Sequence, residues 1–157
     1  MTTKNIVLGI DPGTQTGVAT FVNGILTLVQ TYTHPALIQL LQGGLVNAVV
    51  YEDANLQKPV FARAGANARM MLKIAQNVGE VKFMCKEIAR VCGEQNIPCL
   101  GVSPLAKGSK LGAEAFKKRT GFQPRTSQHG RDAAMVYFAS SIGRFQGKDT
   151  FEVLSKL

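Results

Sequence analysis

Residues 9–19 read GIDPGTQTGVA and separate two apolar runs of the chain. The first run, residues 6–10, is short and continuous, as expected of a buried central strand, and Asp-Pro-Gly ends it in a turn. The second run begins at Gly17, so we expect the chain to return beside the first strand, with Gly13 and Gly17 easing the turn. Asp11 stands where the buried strand ends, in a chain that has four aspartates in all. Such a placement requires a chemical explanation.

Length and composition predict a single domain over residues 1–157. A chain of this length buries roughly two-thirds of its unfolded surface and needs no disulfide or metal to stabilise it. Hydrophobic residues make up 45% of the chain, yet no apolar run approaches the roughly eighteen residues of a membrane span. The N-terminal residues also lack the pattern of a signal peptide. We therefore expect a cytoplasmic protein with no membrane partner.

The chain is strongly basic. Lys and Arg number 18 against 10 for Asp and Glu, which gives a net charge of +8. Such a field favours polyanionic partners, because neutralising phosphates releases condensed counterions. Nucleic acid is therefore the first partner to expect, although many small basic proteins bind nothing in particular. The cysteines, Cys85, Cys92 and Cys99, form no CxxC pair, so we predict reduced, buried thiols and no zinc site.

The remaining periodicity predicts alternating helices and strands after an antiparallel start. Asn23-Gly24 lies between two β-rich runs and is a strong hairpin signal. Apolar spacing and turn residues then predict a short helix at 35–42, a strand at 46–51, a long helix at about 65–95, a strand at 97–102, a short helix near 113–120 and a final helix from about 127 to 142. These elements give an α/β fold with a five-stranded mixed sheet, antiparallel in its first three strands and flanked by helices. Gly79, inside the long helix, costs about 1 kcal/mol relative to alanine and suggests a close approach to another backbone.

Three carboxylates stand at the ends of predicted elements. Asp11 and Glu52 each end an apolar strand, at the edge where open α/β sheets place ligand chemistry, and Asp132 falls in the predicted first turn of the last helix. If the two strands are neighbours and that helix packs on them, the three side chains converge. Gathered oxygen ligands suit Mg²⁺ or Mn²⁺. Two such ions can activate a water and stabilise the leaving oxygen in phosphodiester hydrolysis.

Each acid also has an ordinary explanation. Asp-Pro-Gly is good turn chemistry, Glu52 could simply end a strand, and Asp132 could be a favourable first-turn charge. Asp53 follows Glu52 directly and should point to the opposite face, so we interpret it as a solvated or capping acid. We favour the catalytic interpretation of the other three because together they fit one site.

At the level of motifs the chain resembles the RuvC-like Holliday junction resolvases. The resemblance rests on GIDPGTQTGVA followed by a hairpin, on VVYEDAN, on a long helix containing QNVG, and on HGRDAAMVY. It runs from about residue 5 to residue 144, and the small size is similar to that of phage and bacterial members. It implies a ribonuclease H-like nuclease domain, a homodimer, and Mg²⁺-dependent symmetric nicking of four-way DNA junctions, in a bacterial cell or an infected host's cytoplasm.

The resemblance also assigns roles to single residues. Asp11 matches the family's first-strand aspartate, Glu52 its fourth-strand glutamate and Asp132 the last aspartate of its C-terminal motif. Family members often carry another acid three residues before that aspartate, where this chain has His129. A histidine there could bind a metal or position water, and its protonation would matter near neutral pH. A helix cap or a surface position is nearly as common a role.

Basic residues before the last helix are the predicted DNA contacts. This segment contains a single acid, Glu114, which favours phosphate contact over ordinary surface charge; its basic residues are Lys107, Lys110, Lys117, Lys118, Arg119 and Arg125. The resemblance suggests that Lys107 or Lys110 approaches the cleaved phosphate. In the loop after Glu52, Lys58 and Arg63 are further predicted contacts. The resemblance places Phe61 where it would stack on unpaired bases, unless it belongs to the core.

Three other functions fit parts of the sequence. Another ribonuclease H-like nuclease, acting on RNA–DNA hybrids, flaps or structured RNA, would use the same acids. A non-catalytic nucleic-acid-binding module would use only the basic surface. Asp-Pro-Gly-Thr also resembles the first phosphate loop of sugar kinases and actin-like ATPases, but those proteins need a duplicated domain, for which 157 residues are too few.

Overall fold

A five-stranded mixed sheet forms the centre of the protein. The computed structural model describes residues 3–57, 65 and 67–144. The strands are β1 (Ile6–Asp11), β2 (Thr16–Val22), β3 (Ile25–Tyr32), β4 (Ala48–Glu52) and β5 (Cys99–Val102), in the spatial order β3-β2-β1-β4-β5. The first three strands are antiparallel, whereas β4 runs parallel to β1 and β5 runs parallel to β4. The predicted fold class is confirmed.

The hairpin between β2 and β3 follows from its turn residues. Asn23 and Gly24 have φ angles of 51° and 82°, the left-handed values that a two-residue hairpin turn requires and that Asn and Gly adopt most readily. The Asn23 backbone N–H also donates to the carbonyl of Asn5 at 2.9 Å. The turn therefore fixes both the register of the hairpin and its place beside the start of β1.

The helices lie close to their predicted positions. They are α1 (His34–Gln42), α2 (Ala68–Glu94), α3 (Ala113–Thr120), α4 (Gln128–Ala139) and α5 (Ser141–Arg144), with a one-turn 3-10 helix at Ala54–Leu56. Strand β5 begins two residues later than predicted. Asn96 adopts φ 55°, and the Ile97 N–H donates to the Cys92 carbonyl near the end of α2. Ile97, the first residue of the predicted strand, therefore belongs to the turn that ends the helix.

The two faces of the sheet carry separate cores. On one face, α1 and the C-terminal half of α2 cover the sheet with buried residues that include Leu37, Leu41, Cys85, Ile88 and Cys92. On the other face, α4 lies against the sheet, and the Tyr137 ring stacks on Phe21 with centroids 3.6 Å apart. The carboxyl ends of β1 and β4 lie between these two layers, which leaves one edge of the sheet open for a site.

Glycines set the distance between α4 and the sheet. A β-carbon on Gly17 would overlap the His129 carbonyl, and one on Gly9 would overlap the Ala133 carbonyl. The prediction that Gly17 serves the turn is therefore incomplete, because its missing side chain is what admits the α4 backbone. Gly79 approaches no other backbone among the described residues of this chain, since a β-carbon there would meet no described atom within 4 Å.

The cysteines divide by position. Cys85 and Cys92 are buried on α2, as predicted. Cys99 is exposed, so the prediction of a buried thiol is wrong there, because the residue opens the edge strand β5. Within residues 3–57, 65 and 67–144, no helix combines the length and the apolar character needed to cross a membrane.

Candidate active site

Asp11 and Glu52 lie side by side at one edge of the sheet. Strands β1 and β4 are parallel neighbours with Ile10 opposite Tyr51, and the next residue of each strand is its terminal acid. The residues directly before each acid are buried in the sheet, whereas each acid is only partly buried at the end of its strand. Asp53, one residue further, instead caps the 3-10 helix by accepting from the Asn55 N–H at 2.9 Å, as predicted for a capping acid.

Asp132 reaches the same place from α4. Its side chain is buried, with 3% of the residue exposed. Ser127 caps the helix by accepting from the Gly130 N–H at 3.0 Å, so α4 begins at Gln128 and Asp132 lies in its second turn. The prediction of a first-turn acid is wrong, and the helix-dipole explanation for this residue loses its basis, because the dipole acts mainly within the first turn.

One pocket joins the predicted site residues. Its charged and titratable lining consists of Asp11, Glu52, Lys107, Lys110, His129 and Asp132. Helix α2 contributes Asn77, Val78 and Val81 to the lining. Residues from β1, β4, α2, α4 and the segment after β5 therefore meet around one cavity, although they are spread over more than a hundred positions of the sequence.

Lys107 balances part of the negative charge. Its Nζ lies 3.6 Å from Asp11 Oδ1 and pairs more closely with Glu52 Oε2. The Lys107 side chain is 12% exposed. Burial lowers the pKa of Lys107, but its contact with Glu52 and the charges of Asp11 and Asp132 outweigh burial, so the pKa is raised overall. The ammonium is therefore charged at neutral pH.

Asp11 experiences the opposite balance. Burial raises the pKa of this carboxyl most strongly; Lys107 lowers it, while the charges of Glu52 and Asp132 raise it further. The net pKa lies above the ordinary value for aspartate. Gathering three carboxylates beside one lysine thus carries an electrostatic cost, which a divalent cation would relieve.

Hydrogen bonds on α4 orient Asp132. Gln128 Nε2 donates to Asp132 Oδ1 at 2.9 Å, and Gln128 Oε1 accepts from the Arg131 guanidinium at 2.9 Å. The Arg131 guanidinium also donates to the Leu111 carbonyl and to the carbonyl and hydroxyl of Thr126. Sequence reasoning missed Gln128 and Arg131. The four-residue spacing from Gln128 to Asp132 is the one signal that could have indicated the pair.

His129 stands beside Asp11 but is largely open to solvent. Its Nδ1 lies 3.6 Å from Asp11 Oδ2, and its side chain is 52% exposed. Because Ser127 is the N-cap of α4, the alternative that His129 caps the helix is wrong. The imidazole therefore lies at the rim of the carboxylate group, beside Asp11.

The chemistry of the acids fits a hard cation. All three offer carboxylate oxygens, the donors that Mg²⁺ and Mn²⁺ prefer. Glu52 Oε2 is buried and accepts no well-formed hydrogen bond from the described residues, although the Lys107 ammonium compensates its charge. In the described part of the chain, no three His, Cys, Asp or Glu side chains are gathered tightly enough to hold one ion as they stand. The acids fit a hard cation in type, and two of them, Asp11 and Glu52, are paired with Lys107.

The predicted DNA contacts fall into three groups. Lys107 and Lys110 line the pocket. The other described basic residues are not part of its lining: Lys117, Lys118 and Arg119 lie on the last turn of α3, and Arg125 is exposed between α3 and α4. Lys117 is within 3.7 Å of Glu114. The predictions for Lys58, Phe61 and Arg63 lie outside the described residues.

Comparison with solved structures shows which known fold this chain shares. No protein-family model and no curated protein matches the chain. Among solved structures, RuvC of T. thermophilus in complex with Holliday junction substrate is 19% identical, with a TM-score of 0.54, over 86% of this chain and 91% of that one. A second Thermus thermophilus RuvC structure is 17% identical, with a TM-score of 0.51, over 85% and 92% of the two chains. The chain therefore has a RuvC-like, ribonuclease H-like fold.

Proposed function

We propose that this protein is a divalent-metal-dependent endonuclease that nicks four-way and other branched DNA junctions. The observation that carries the proposal is the convergence of Asp11, Glu52 and Asp132 in one pocket that also contains Lys107 and Lys110. The similarity to a RuvC bound to a Holliday junction supports the same class of nuclease. The net charge of +8 supports a polyanionic substrate.

In this proposal the acids hold Mg²⁺, for which Mn²⁺ substitutes. The bound ions supply an activated water and charge stabilisation for the leaving oxygen. Asp11 and Glu52 are held by paired strands and Asp132 by a capped helix and Gln128, so the backbone positions of the ligands are set before substrate binds. His129, at the rim beside Asp11, would bind an ion or orient a water. Electrostatic catalysis requires charged groups whose positions are set in advance, as the strands and α4 set those of the three acids.

The basic side chains then orient the DNA. Lys110 is exposed and lines the pocket, where it would meet the phosphate next to the cleaved bond. Lys117, Lys118 and Arg125 would contact the backbone further away, through interactions that fix register and carry no sequence information. Lys58, Phe61 and Arg63 remain proposed contacts to the junction, Phe61 by stacking on an unpaired base.

We further propose that the active protein is a homodimer formed through α2. The N-terminal half of this helix extends beyond the core, and Leu72 and Phe83 are 72% and 60% exposed. Ala75 and Gly79 are exposed between them, and the spacing places all four on one face. Large apolar ends around small central residues suit close packing of a second copy, and an exposed stripe of this kind marks an interaction site.

A test of the dimer is sedimentation of wild-type protein against the double variant Leu72→Glu/Phe83→Glu. We expect a dimer for the wild type and a folded monomer for the variant, because neither side chain contributes to the described core. A monomeric wild type at all concentrations, with and without junction DNA, would disprove the dimer.

The enzymatic proposal is tested with Asp11→Asn and a neighbouring control. Single-turnover nicking of a mobile four-way junction in Mg²⁺ should fall by on the order of a thousandfold, while gel-shift binding of the junction persists. Asp53→Asn is the matched control, since Asn is also a good cap and Asp53 does not line the pocket. Equal nicking by Asp11→Asn and wild type would remove the catalytic assignment.

The substrate class is tested by offering the wild type other structures. A fork, a linear duplex and an RNA–DNA hybrid are compared with the junction, with Mg²⁺ and with EDTA. We expect nicking of the junction above the other substrates and none in EDTA. Preference for the hybrid would favour another ribonuclease H-like nuclease, and binding without cleavage of any substrate would favour a non-catalytic module.

A further inference from the structure

Lys107 shares a largely buried environment with two of the proposed metal ligands. Its ammonium bridges Asp11 Oδ1 and Glu52 Oε2. The side chains of Lys107, Asp11 and Glu52 are 12%, 13% and 19% exposed. Ion pairs at such low exposure are screened much less than surface pairs. The lysine therefore contributes strongly to the charge balance of the pocket.

We propose that Lys107 is a tethered cation that competes with divalent ions for Asp11 and Glu52, so that loading of the site requires its ammonium to move away. This inference rests on the proposed function, because it takes the two carboxylates as metal ligands. It adds a role that the phosphate-contact assignment does not contain, namely control of metal affinity before DNA is bound.

Competition follows from the atoms involved. The oxygens that pair with the ammonium are the oxygens that a hard cation would take, and one carboxylate oxygen cannot hold both at close range. Because the Lys107 ammonium already pairs with both carboxylates, the side chain has to move for metal to bind. Its flexible four-carbon stem allows such movement, and Lys107 lies in a segment without helix or strand, just before Gly108 at φ 74°.

The competition also couples metal to substrate. A DNA phosphate in the pocket offers the ammonium another anionic partner, so DNA binding frees Asp11 and Glu52 for the ions. The site would then load most readily when there is a phosphodiester to cleave.

The direct test measures Mn²⁺ affinity without DNA, by counting free Mn²⁺ with electron paramagnetic resonance. We expect Lys107→Met to bind Mn²⁺ about tenfold more tightly than the wild type, which corresponds to loss of one partly buried competing charge. Lys110→Met is the matched control: it removes the same charge from the same pocket, but Lys110 makes no ion pair with a described acid, so its affinity should change by less than about twofold. Lys107→Arg keeps the charge and should stay close to the wild type.

Equal or weaker Mn²⁺ binding by Lys107→Met would overturn the proposal, as would an equal gain in the two methionine variants. Thermal melting distinguishes a loss of metal competition from poor folding of the variant. In EDTA, Lys107→Met should melt below the wild type, because Asp11 and Glu52 lose their partner, and saturating Mn²⁺ should remove this difference. A variant that Mn²⁺ fails to restore would also overturn the competition.

Nicking kinetics separate this inference from the proposed function. For Lys107→Met we expect the Mg²⁺ concentration at half-maximal rate to fall, while the maximal rate falls as well because a phosphate contact is lost. If the wild type binds Mn²⁺ and nicks junctions but the variant shows no gain in metal affinity, the competition is wrong and the nuclease stands. If the wild type neither binds Mn²⁺ nor nicks DNA, both fail.

Discussion

The helices on the two faces of the sheet approach it in different ways. Helix α4 lies with its backbone against the strands, because Gly9 and Gly17 leave room for it, and seven of its residues are buried. Helix α2 is more than twice as long, yet its buried residues all lie between Cys85 and Cys92. Helix α4 is fixed along its length and carries Asp132. The N-terminal half of α2 contributes no buried residue; one side of it lines the pocket, and the face of Leu72 and Gly79 is exposed and available to a partner.

This difference separates precision from adaptability. A site that depends on three carboxylates tolerates little error in their positions, and Asp132 belongs to the helix whose seating allows the least freedom. The exposed face of α2 that carries Leu72, Gly79 and Phe83 does not line the pocket, so it can serve an interface. Four predictions test this contrast, from the largest expected effect to the smallest.

Gly17→Ala should cause the largest loss of stability. Its β-carbon would overlap the backbone of His129 and Gly130, so α4 must shift, and we expect a cost of about 3 kcal/mol in the free energy of unfolding. Gly13→Ala in the same turn is the control, because its β-carbon would meet the nearest described atom, the Gln15 carbonyl oxygen, at an ordinary 3.5 Å. Urea denaturation measures both. A Gly17→Ala variant as stable as Gly13→Ala would mean that α4 is not seated as described.

Gln128→Leu should weaken catalysis without unfolding the protein. The substitution removes the hydrogen bond to Asp132 and leaves Arg131 its bonds to Leu111 and Thr126. We expect nicking to fall about tenfold, the equivalent of about 1.4 kcal/mol, together with weaker Mn²⁺ binding and unchanged junction binding. Gln123→Leu, at an exposed position on the loop before α4, should change none of these. Unaltered Mn²⁺ affinity in Gln128→Leu would show that Asp132 needs no support from this amide.

Asp11→Asn should stabilise the fold in EDTA at neutral pH. Since the pKa of Asp11 is raised in the folded state, its ionised form opposes folding above that pKa, and the neutral amide avoids this cost. The cost disappears as pH falls to the ordinary value of about 3.9, so the difference in melting temperature should shrink with decreasing pH. Thermal melts between neutral pH and the acid limit of stability measure it. A lower melting temperature for Asp11→Asn at neutral pH would mean that the Lys107 ion pair outweighs burial.

Gly79→Ala should have the smallest effect and the opposite sign to Gly17→Ala. A β-carbon at residue 79 meets no described atom within 4 Å, and alanine is the better helix former, so the helix should gain about 0.5–1 kcal/mol. Denaturation of the monomeric Leu72→Glu/Phe83→Glu background isolates this term. In the wild-type background the same substitution should weaken self-association, because it widens the face between Leu72 and Phe83. If Gly79→Ala destabilised the monomeric background, the space around residue 79 would not be open as described.

The helices, the strands and the acids at strand ends could be predicted because local sequence patterns determine them. Asn23-Gly24 has a strong preference for one turn type, and Asp11 and Glu52 follow runs whose hydrophobicity requires burial up to the preceding residue. Adjacency of β1 and β4 was only a condition in the sequence argument, and the parallel pairing of Ile10 with Tyr51 supplies it. The five strands and the antiparallel arrangement of the first three match the prediction because hydrophobic pattern and turn chemistry agree at each step.

Only the tertiary structure decided how the site is supported. Gly17 serves a contact with His129, more than a hundred residues away, and no local pattern encodes such a distance. The pairing of Lys107 with Asp11 and Glu52, the placement of Asp132 in a second turn, and the support from Gln128 and Arg131 likewise depend on where α4 begins and how closely it packs. By itself the sequence determined which groups could act, because residue type and periodicity are local. Their distances, burial and charge balance arose from packing between elements far apart in the chain.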